Sequence, residues 1–374
     1  MDDPRTILIV GGGVGGMCAA IALARSGRSV RLIDADPDWR ALGAGMTLNG
    51  GALRAFHQLG LLDEVASKGA CGGAATLCRP DGVILFAAPP VSPFGPGVPG
   101  VGGIMRPVLH EILQQHTRAA GVEIGLGQRL VGLQQGSGGV TAQFADGSRA
   151  TFDLLVGADG INSTVRSIVF PDAPVPAFTG QGCWRAVVSR PAEVTGPLMF
   201  FGRQKCGLNP VSKDQMYLFL LQNVKDNRWL PENEWPQLLR AELEEFTAPM
   251  LRRVSDELDT ASLIVYRPLE AGLVPSPWFR GRVLMIGDAA HATTPHSAYG
   301  AALAIEDAVV LAEELDAGGG LHLALDRFMD RRFERCRAVV EGSVLQGELE
   351  QRGASMDEFN QASRAVSQVI VEPI

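Results

Sequence analysis

Residues 11–16, Gly-Gly-Gly-Val-Gly-Gly, place the spacing G-x-G-x-x-G at Gly11, Gly13 and Gly16, between the apolar run Thr6-Ile7-Leu8-Ile9-Val10 and an Ala-rich run from Met17 to Arg25. No other feature restricts the fold as strongly. A five-residue, mostly apolar run entering a glycine turn reads as a buried strand, and the helix behind the turn offers it free backbone N–H groups and the positive end of its dipole. Gly11 permits the tight turn, Gly13 leaves its backbone open to a pyrophosphate, and Gly16 lets helix and strand pack closely, with Val14 and Gly15 completing the loop. A second strand, Ser29-Val30-Arg31-Leu32-Ile33, ends at Asp34, where a carboxylate accepts both hydroxyls of an adenosine ribose. The expected fold is α/β with a dinucleotide-binding turn, and a carboxylate at Asp34 would repel the 2′-phosphate of NADP.

With 374 residues, 46% hydrophobic and 20% charged, the chain has room for two domains and lacks the composition of a disordered one. A formal net charge of −8 argues against nucleic acid, whose binders neutralise phosphate with Lys and Arg. Cys18, Cys71, Cys78, Cys183, Cys206 and Cys336 show neither metal-ligand spacing nor a disulfide pattern, so no metal is expected. The first apolar run has no basic flank, and no run approaches the ~20 apolar residues that cross a bilayer. A cytoplasmic protein without a membrane partner is expected.

Strand patterning marks a hairpin in which residues 140–144 turn at Asp146-Gly147 and return as 151–156. Short aromatic strands at 183–188, 198–201 and 215–221 predict a separate sheet with few helices. On it Tyr217, Phe219 and Leu221 share one face, while Trp184 and Arg185 point to opposite faces. From residue 302 the spacing is helical, ending in an Arg-rich amphipathic run over 321–349. The nearest thing to a linker is the Pro/Gly-rich stretch from Pro89 to Gly103.

Two later motifs are more specific. Gly157-Ala158-Asp159-Gly160-Ile161-Asn162-Ser163, with Val165-Arg166 beyond, closes the hairpin; Arg282-Val283-Leu284-Met285-Ile286-Gly287-Asp288-Ala289-Ala290-His291 is a buried strand ending in Gly-Asp. With the glycine turn before them, in this order and at these separations, the whole chain resembles the class A flavoprotein monooxygenases, the family of para-hydroxybenzoate, salicylate and urate hydroxylases. The resemblance implies a Rossmann-like FAD-binding domain (1–70, 104–175 and 272–340) with an inserted antiparallel β-sheet substrate domain (71–103 and 176–271) and a helical tail (341–374). It implies noncovalent FAD, with Asp288 on the ribityl chain and close to the pyrophosphate, and Arg106 on the flavin nucleotide. Arg40 and the backbone of Ala44 and Gly45 become further contacts, and Leu130 offers its backbone to adenine. Asp159 has two readings, a cofactor contact or the former of a structural turn.

Beyond Asp288 the family usually reads Pro, two residues, then Gly-Gln-Gly; here Ala298-Tyr299-Gly300 fills that slot after Pro295. Gly300 and Ala301 open a helix whose free N–H groups can stabilise negative charge on the flavin's N1/O2 edge, and Pro295 fixes the loop against the flavin face. Tyr299 is expected beside the ring system. His296 reads either as a base near neutral pH or as a loop histidine bonded to backbone. On the sheet, Tyr217 is a partner for a substrate hydroxyl or a core aromatic, and Arg185 a partner for a carboxylate. The arginine of urate-type members aligns with Cys206, which suggests a less polar substrate. The implied reaction hydroxylates a small aromatic or heteroaromatic ring through a C4a-hydroperoxyflavin, with NADH or NADPH as transient co-substrate, molecular oxygen as oxidant, and water excluded. Epoxidation or heteroatom oxidation on the same cofactor, or flavin binding without turnover, are the alternatives, in a monomer or homodimer.

Overall fold

The computed structural model describes residues 3–41, 43–88, 92–228 and 230–374. Its first sheet has six strands in the spatial order β18 (Phe279–Arg280), β19 (Val283–Met285), β12 (Leu154–Gly157), β1 (Thr6–Val10), β2 (Ser29–Asp34) and β8 (Glu123–Leu126). All neighbours pair in parallel except β18 and β19. Ile7, Leu8 and Ile9 are all fully buried, so both faces of the sheet are covered, and this is why the strand reads as a continuous apolar run. Helix α1 (Val14–Arg25) packs against α4 (Arg106–Ala119) and α9 (Gly300–Asp316). The glycine turn needs its glycines. Gly11 has φ +109°, and a Cβ on it would strike the Ala158 carbonyl, while a Cβ on Gly16 would strike the Gly11 carbonyl.

The second sheet has seven strands in the order β17 (Ile264–Leu273), β13 (Ala177–Ser189), β16 (Gln215–Asn223), β15 (Lys205–Pro210), β14 (Leu198–Phe201), β5 (Thr76–Cys78) and β6 (Ile84–Ala87). One face, with Trp184, Leu208, Leu218, Leu220 and Tyr266, forms a core with α6 (Trp235–Leu243) and α7 (Pro249–Glu257). Arg185 pairs in register with Phe219, and Val187 with Tyr217, on the opposite face.

A small sheet, β3 (Gly45–Asn49), β7 (Val101–Met105) and β4 (Ala70–Cys71), joins the two. A Cβ on Gly45 would come within 2.6 Å of Val211 and 2.8 Å of Tyr217, so β3 lies backbone-close against the substrate sheet. Helices α2 (Gly50–Gln58) and α3 (Leu62–Lys68) follow β3. The remaining strands, β11 (Arg149–Phe152), β10 (Gly139–Phe144) and β9 (Leu130–Gly136), form an antiparallel ribbon, and α5 (Thr164–Val169) and α8 (Asp288–His291) are short. The chain closes with α10 (Leu321–Gln351) and α11 (Met356–Val371), which pack on each other. Among the described residues no helix is long and apolar enough to cross a membrane.

Some expectations change in detail. The hairpin's returning run is two strands, because Asp153 interrupts it: its carboxylate accepts the N–H groups of Arg5 and Thr6 at 2.9 and 2.8 Å, which sends β11 into the ribbon and β12 into the parallel sheet. The divisions at 103/104 and 340/341 fall inside β7 and α10. The stretch beginning at Pro89 starts outside the described residues, and its far end is β7, a paired strand.

Because the Gly16 Cα lies against the Gly11 carbonyl, Gly16→Ala should cost about 1–3 kcal/mol of stability and most of the affinity for FAD. Thermal melts with and without added FAD check this; a variant melting like the wild type and equally stabilised by FAD would contradict the packing.

Candidate active site

Five glycines line the first turn, and four are crowded. A Cβ on Gly11, Gly12 or Gly16 would collide with neighbours, and one on Gly15 would lie 3.0 Å from the Ala304 Cβ, whereas Gly13 has nothing within 4 Å. Gly13 is the cap residue of α1, and Val14 is the helix's first residue. Open space thus lies where the helix presents unbonded N–H groups, a fit for a pyrophosphate. Asp34, half-buried at the end of β2, accepts the Gly12 N–H at 2.6 Å and the Asp36 N–H at 2.7 Å. Those bonds aim the carboxylate and leave lone pairs for ribose hydroxyls.

Two residues outside the motifs also hold this turn. The Trp39 indole donates to the Gly12 carbonyl at 2.9 Å, and a His110 ring nitrogen lies 3.3 Å from the same oxygen. Neither carries a sequence signal, since each acts through a backbone group remote in the chain. Arg40 stands exposed on the surface, paired with Asp36 at 3.3 Å and Asp38 at 3.4 Å. The side chain of Leu130 is buried at the start of β9.

Arg106 and Asp288 define the cleft. Both lie deep enough for desolvation to shift their ionisation, yet both reach solvent, as residues lining an open cleft do. Burial raises the Asp288 carboxyl, with His291 and Arg106 opposing; burial lowers Arg106, helped by the charge of Arg185 and opposed by Asp288. The Arg106 N–H donates to the Ala44 carbonyl at 3.1 Å, which ties α4 to the residue before Gly45. Asp159 takes its structural reading here. Its carboxylate accepts Ser163 Oγ at 2.5 Å and the Thr164 and Val165 N–H groups at 2.7 and 3.0 Å, capping α5.

Helix α9 is keyed to both glycine turns, since Ala304 meets the Cβ positions of Gly15 and Gly287 at 3.0 and 3.2 Å. Gly300 and Ala301, its first residues, are partly accessible. Pro295 opens a single helical turn whose carbonyl accepts the Ala298 N–H at 2.9 Å, and Asn49 donates to the Ala298 carbonyl at 2.6 Å.

Of two loop residues, His296 takes its loop-histidine reading, bonded to a side chain rather than to backbone, and Tyr299 differs from expectation. His296 is buried, with Nδ1 2.8 Å from Thr294 Oγ1 and Nε2 3.3 Å from Glu350 Oε2, though too poorly aligned there for a hydrogen bond. Burial lowers its pKa against the pull of Glu350. Both ring nitrogens face protein groups, so His296 is a loop histidine and offers no base to the cleft. Tyr299 is fully buried and turned away from the cleft: its hydroxyl donates to Glu306 Oε1 at 2.6 Å and accepts from Arg335 Nη2 at 3.1 Å. The reason is the buried Glu306 carboxylate, which needs donors.

On the substrate sheet, Asn209 Nδ2 donates to Thr47 Oγ1 at 3.0 Å, and Thr47 Oγ1 lies 2.6 Å from the Tyr217 hydroxyl. Burial raises the Tyr217 pKa, with Thr47 and Arg185 opposing. Arg185 is half-buried and has no hydrogen bond or ion pair among the described residues, although its charge is felt by both Arg106 and Tyr217. Cys206 does not line this space. It is fully buried in register with Leu220 and Phe200, on the face covered by α6 and α7, so its identity says nothing about substrate polarity. Its neighbour Lys205 turns the other way and pairs with Glu350 at 3.3 Å.

The ligand atoms of His291, Asp307 and Cys336 lie within 4.8 Å of one another, but the Arg332 guanidinium stands among them, 2.8 Å from Asp307 and 3.5 Å from the Cys336 sulfur. Two surface hollows, of about 580 Å³ beside Arg28 and Asp316 and about 370 Å³ beside Ile84 and Met250, are lined by none of Asp34, Arg106, Arg185, Tyr217 and Asp288.

The sequence matches the family profile described as "FAD binding domain" over residues 5–343. It is 33% identical over 338 residues to a putative FAD-dependent monooxygenase, YetM, of Bacillus subtilis, covering 90% of this chain and 91% of that protein. It is 32% identical to the 2-heptyl-3-hydroxy-4(1H)-quinolone synthase of Pseudomonas aeruginosa, over 82% of this chain and 80% of that one. Among solved structures, Klebsiella pneumoniae HpxO complexed with FAD and uric acid superposes with a TM-score of 0.83 at 25% identity, covering 98% of this chain and 95% of that one.

Burial raises the Asp288 pKa, so the folded chain keeps this proton at pH values where the unfolded chain, near pKa 3.9, has released it. Ionised Asp288 therefore destabilises the ligand-free fold at neutral pH, and the penalty fades as pH falls to about 4. Asp288→Asn should raise the melting temperature of ligand-free protein at pH 7 but not near pH 4, while weakening FAD binding. Titrating FAD into both proteins and melting them at both pH values checks this; undiminished FAD affinity in the variant would remove Asp288 from the binding set.

Proposed function

The chain belongs to the FAD-binding family that contains the flavin-dependent monooxygenases, and from that premise we propose that it hydroxylates a small heteroaromatic ring bearing an anionic oxygen. The observation that carries the substrate reading is Arg185, a cation in the cleft with no hydrogen-bond or ion-pair partner among the described residues. A half-buried guanidinium left unpaired is costly, and an anionic ligand group relieves that cost. The two relatives named for ring compounds, one a hydroxyquinolone synthase and one a uric acid complex, fit the same chemistry.

Tyr217 supports the reading through its polar partners. Asn209 donates to Thr47 Oγ1, which shares a hydrogen bond with the Tyr217 hydroxyl, and with Thr47 as the donor in that bond the Tyr217 O–H would serve a ligand in the cleft. Asn209 Nδ2 also lies 3.3 Å from the Gly102 carbonyl, which fixes the amide's orientation. Arg185 and Tyr217 together hold an oxygen anion on the ring, and that anion makes the ring electron-rich and open to electrophilic oxygen. Gly13, Asp34, Arg106 and Asp288 would hold the FAD. Bound FAD supplies two-electron reduction by NADH or NADPH and the activation of molecular oxygen. The chain's own task is to orient the ring and keep water away from it.

A panel of phenols, hydroxypyridines, quinolones and purines, assayed for stimulated NADH and NADPH oxidation and for a product gaining one oxygen, tests the reading. Arg185→Met should raise KM for an ionised substrate roughly 10- to 150-fold, the equivalent of about 1.5–3 kcal/mol, with FAD content unchanged. No stimulation by any member of the panel would favour flavin binding without turnover, and an epoxide or a heteroatom oxide as product would favour the other oxidations.

A further inference from the structure

Tyr299 stands where the resembling family usually has glutamine, and its side chain is engaged away from the cleft. It is the residue before α9, its carbonyl accepts the Leu303 N–H at 3.0 Å, and its ring runs back along the helix to Glu306. There is no slack around it. Gly51 on α2 provides the space, since any Cβ there would strike the Tyr299 hydroxyl. Glu306 receives Arg335 Nε at 2.8 Å and Nη2 at 2.9 Å, together with Arg332 Nη1 at 2.9 Å. The Arg335 guanidinium also donates to carbonyls at the end of α11: Val369, Ile370 at 3.1 Å and Glu372 at 3.3 Å. Arg54 on α2 donates to two neighbours in that turn, Ile370 at 3.3 Å and Val371 at 3.0 Å. These carbonyls belong to the last turn of a helix, which cannot satisfy them itself.

We propose that Tyr299 is a positioning residue: with Glu306 and Arg335 it fixes the first turn of α9 at the flavin site and makes the docked end of α11 part of that setting. The reach is short, because Gly300 and Ala301 follow Tyr299 directly and Ala304 one turn on touches both glycine turns. A shift of Tyr299 would therefore displace the free N–H groups of the first turn of α9, and with them the stabilisation they would offer to negative charge on a bound flavin. This inference rests on the reading that FAD occupies the cleft.

The test uses purified, FAD-loaded protein and measures the flavin's two-electron midpoint potential by equilibration with a reference dye, alongside FAD content and melting temperature. Tyr299→Phe removes one hydroxyl shared by Glu306 and Arg335, and the reduction equilibrium should fall roughly twofold to tenfold with FAD content retained. Arg335→Gln should move it in the same direction. Val366→Ala, which thins the packing of α11 on Gly342 without touching the polar link, serves as the comparison and should lower the melting temperature while leaving the potential in place. An unchanged potential in Tyr299→Phe, or an equal shift in Val366→Ala, overturns the positioning role while leaving the FAD reading intact. A wild-type chain that takes up no FAD overturns both.

Discussion

Glu306 and Asp307 are adjacent carboxylates on α9, both completely removed from water. Asp307 accepts Arg332 at 2.8 Å, the Gly287 N–H at 2.9 Å and His291 at 2.7 Å, and although burial works against it, His291 and Arg332 hold its pKa down at about 2. Glu306 is likewise held below its usual range, burial opposing, by Arg332, Arg335 and Tyr299. Leaving either carboxylate without its partner would cost on the order of 3–5 kcal/mol. The pair locks α9 to α10 and to the Gly287 turn, and α9 in turn backs the first glycine turn through Ala304. The cleft is thus shaped from behind by ion pairs that are themselves buried in the protein.

The sequence was most legible where local backbone demands are strong. Gly11, Gly16 and Gly287 occupy positions where backbone meets backbone or φ is positive, and such positions leave a mark in residue type. Strand alternation likewise separated Trp184 from Arg185 and grouped Tyr217 with Phe219, because side-chain direction in a strand follows from parity alone, whereas only the pairing register brings Arg185 and Tyr217 to one face. His296 takes the second of its two readings, and Tyr299 and Cys206 depart from their expected surroundings, for one shared reason. Their surroundings are set by Glu350, by Arg335 and by helices α6 and α7, all distant in sequence, and nothing near them in the chain announces those partners. Asp153 shows the same limit in a smaller way, since the N–H groups that split its strand belong to Arg5 and Thr6.

The two halves of the cleft have contrasting chemistry. The side proposed to hold flavin is built from backbone, with Gly13 open at a helix start and a carboxylate aimed by two N–H groups. The side proposed to hold substrate is built from side chains on a sheet, where the polar chain Asn209, Thr47 and Tyr217 crosses from β15 through β3 to β16. Backbone recognition suits a cofactor whose phosphates and ribose do not vary, whereas side chains on a sheet can be exchanged without disturbing the fold.

The contact between Gly51 and Tyr299 makes two remote residues one unit. The tyrosine's hydroxyl is pinned by Glu306 and Arg335, and the space it fills exists because residue 51 has no side chain. In this arrangement a side chain at 51 and the tyrosine at 299 exclude one another, so a change on α2 is felt at the start of α9.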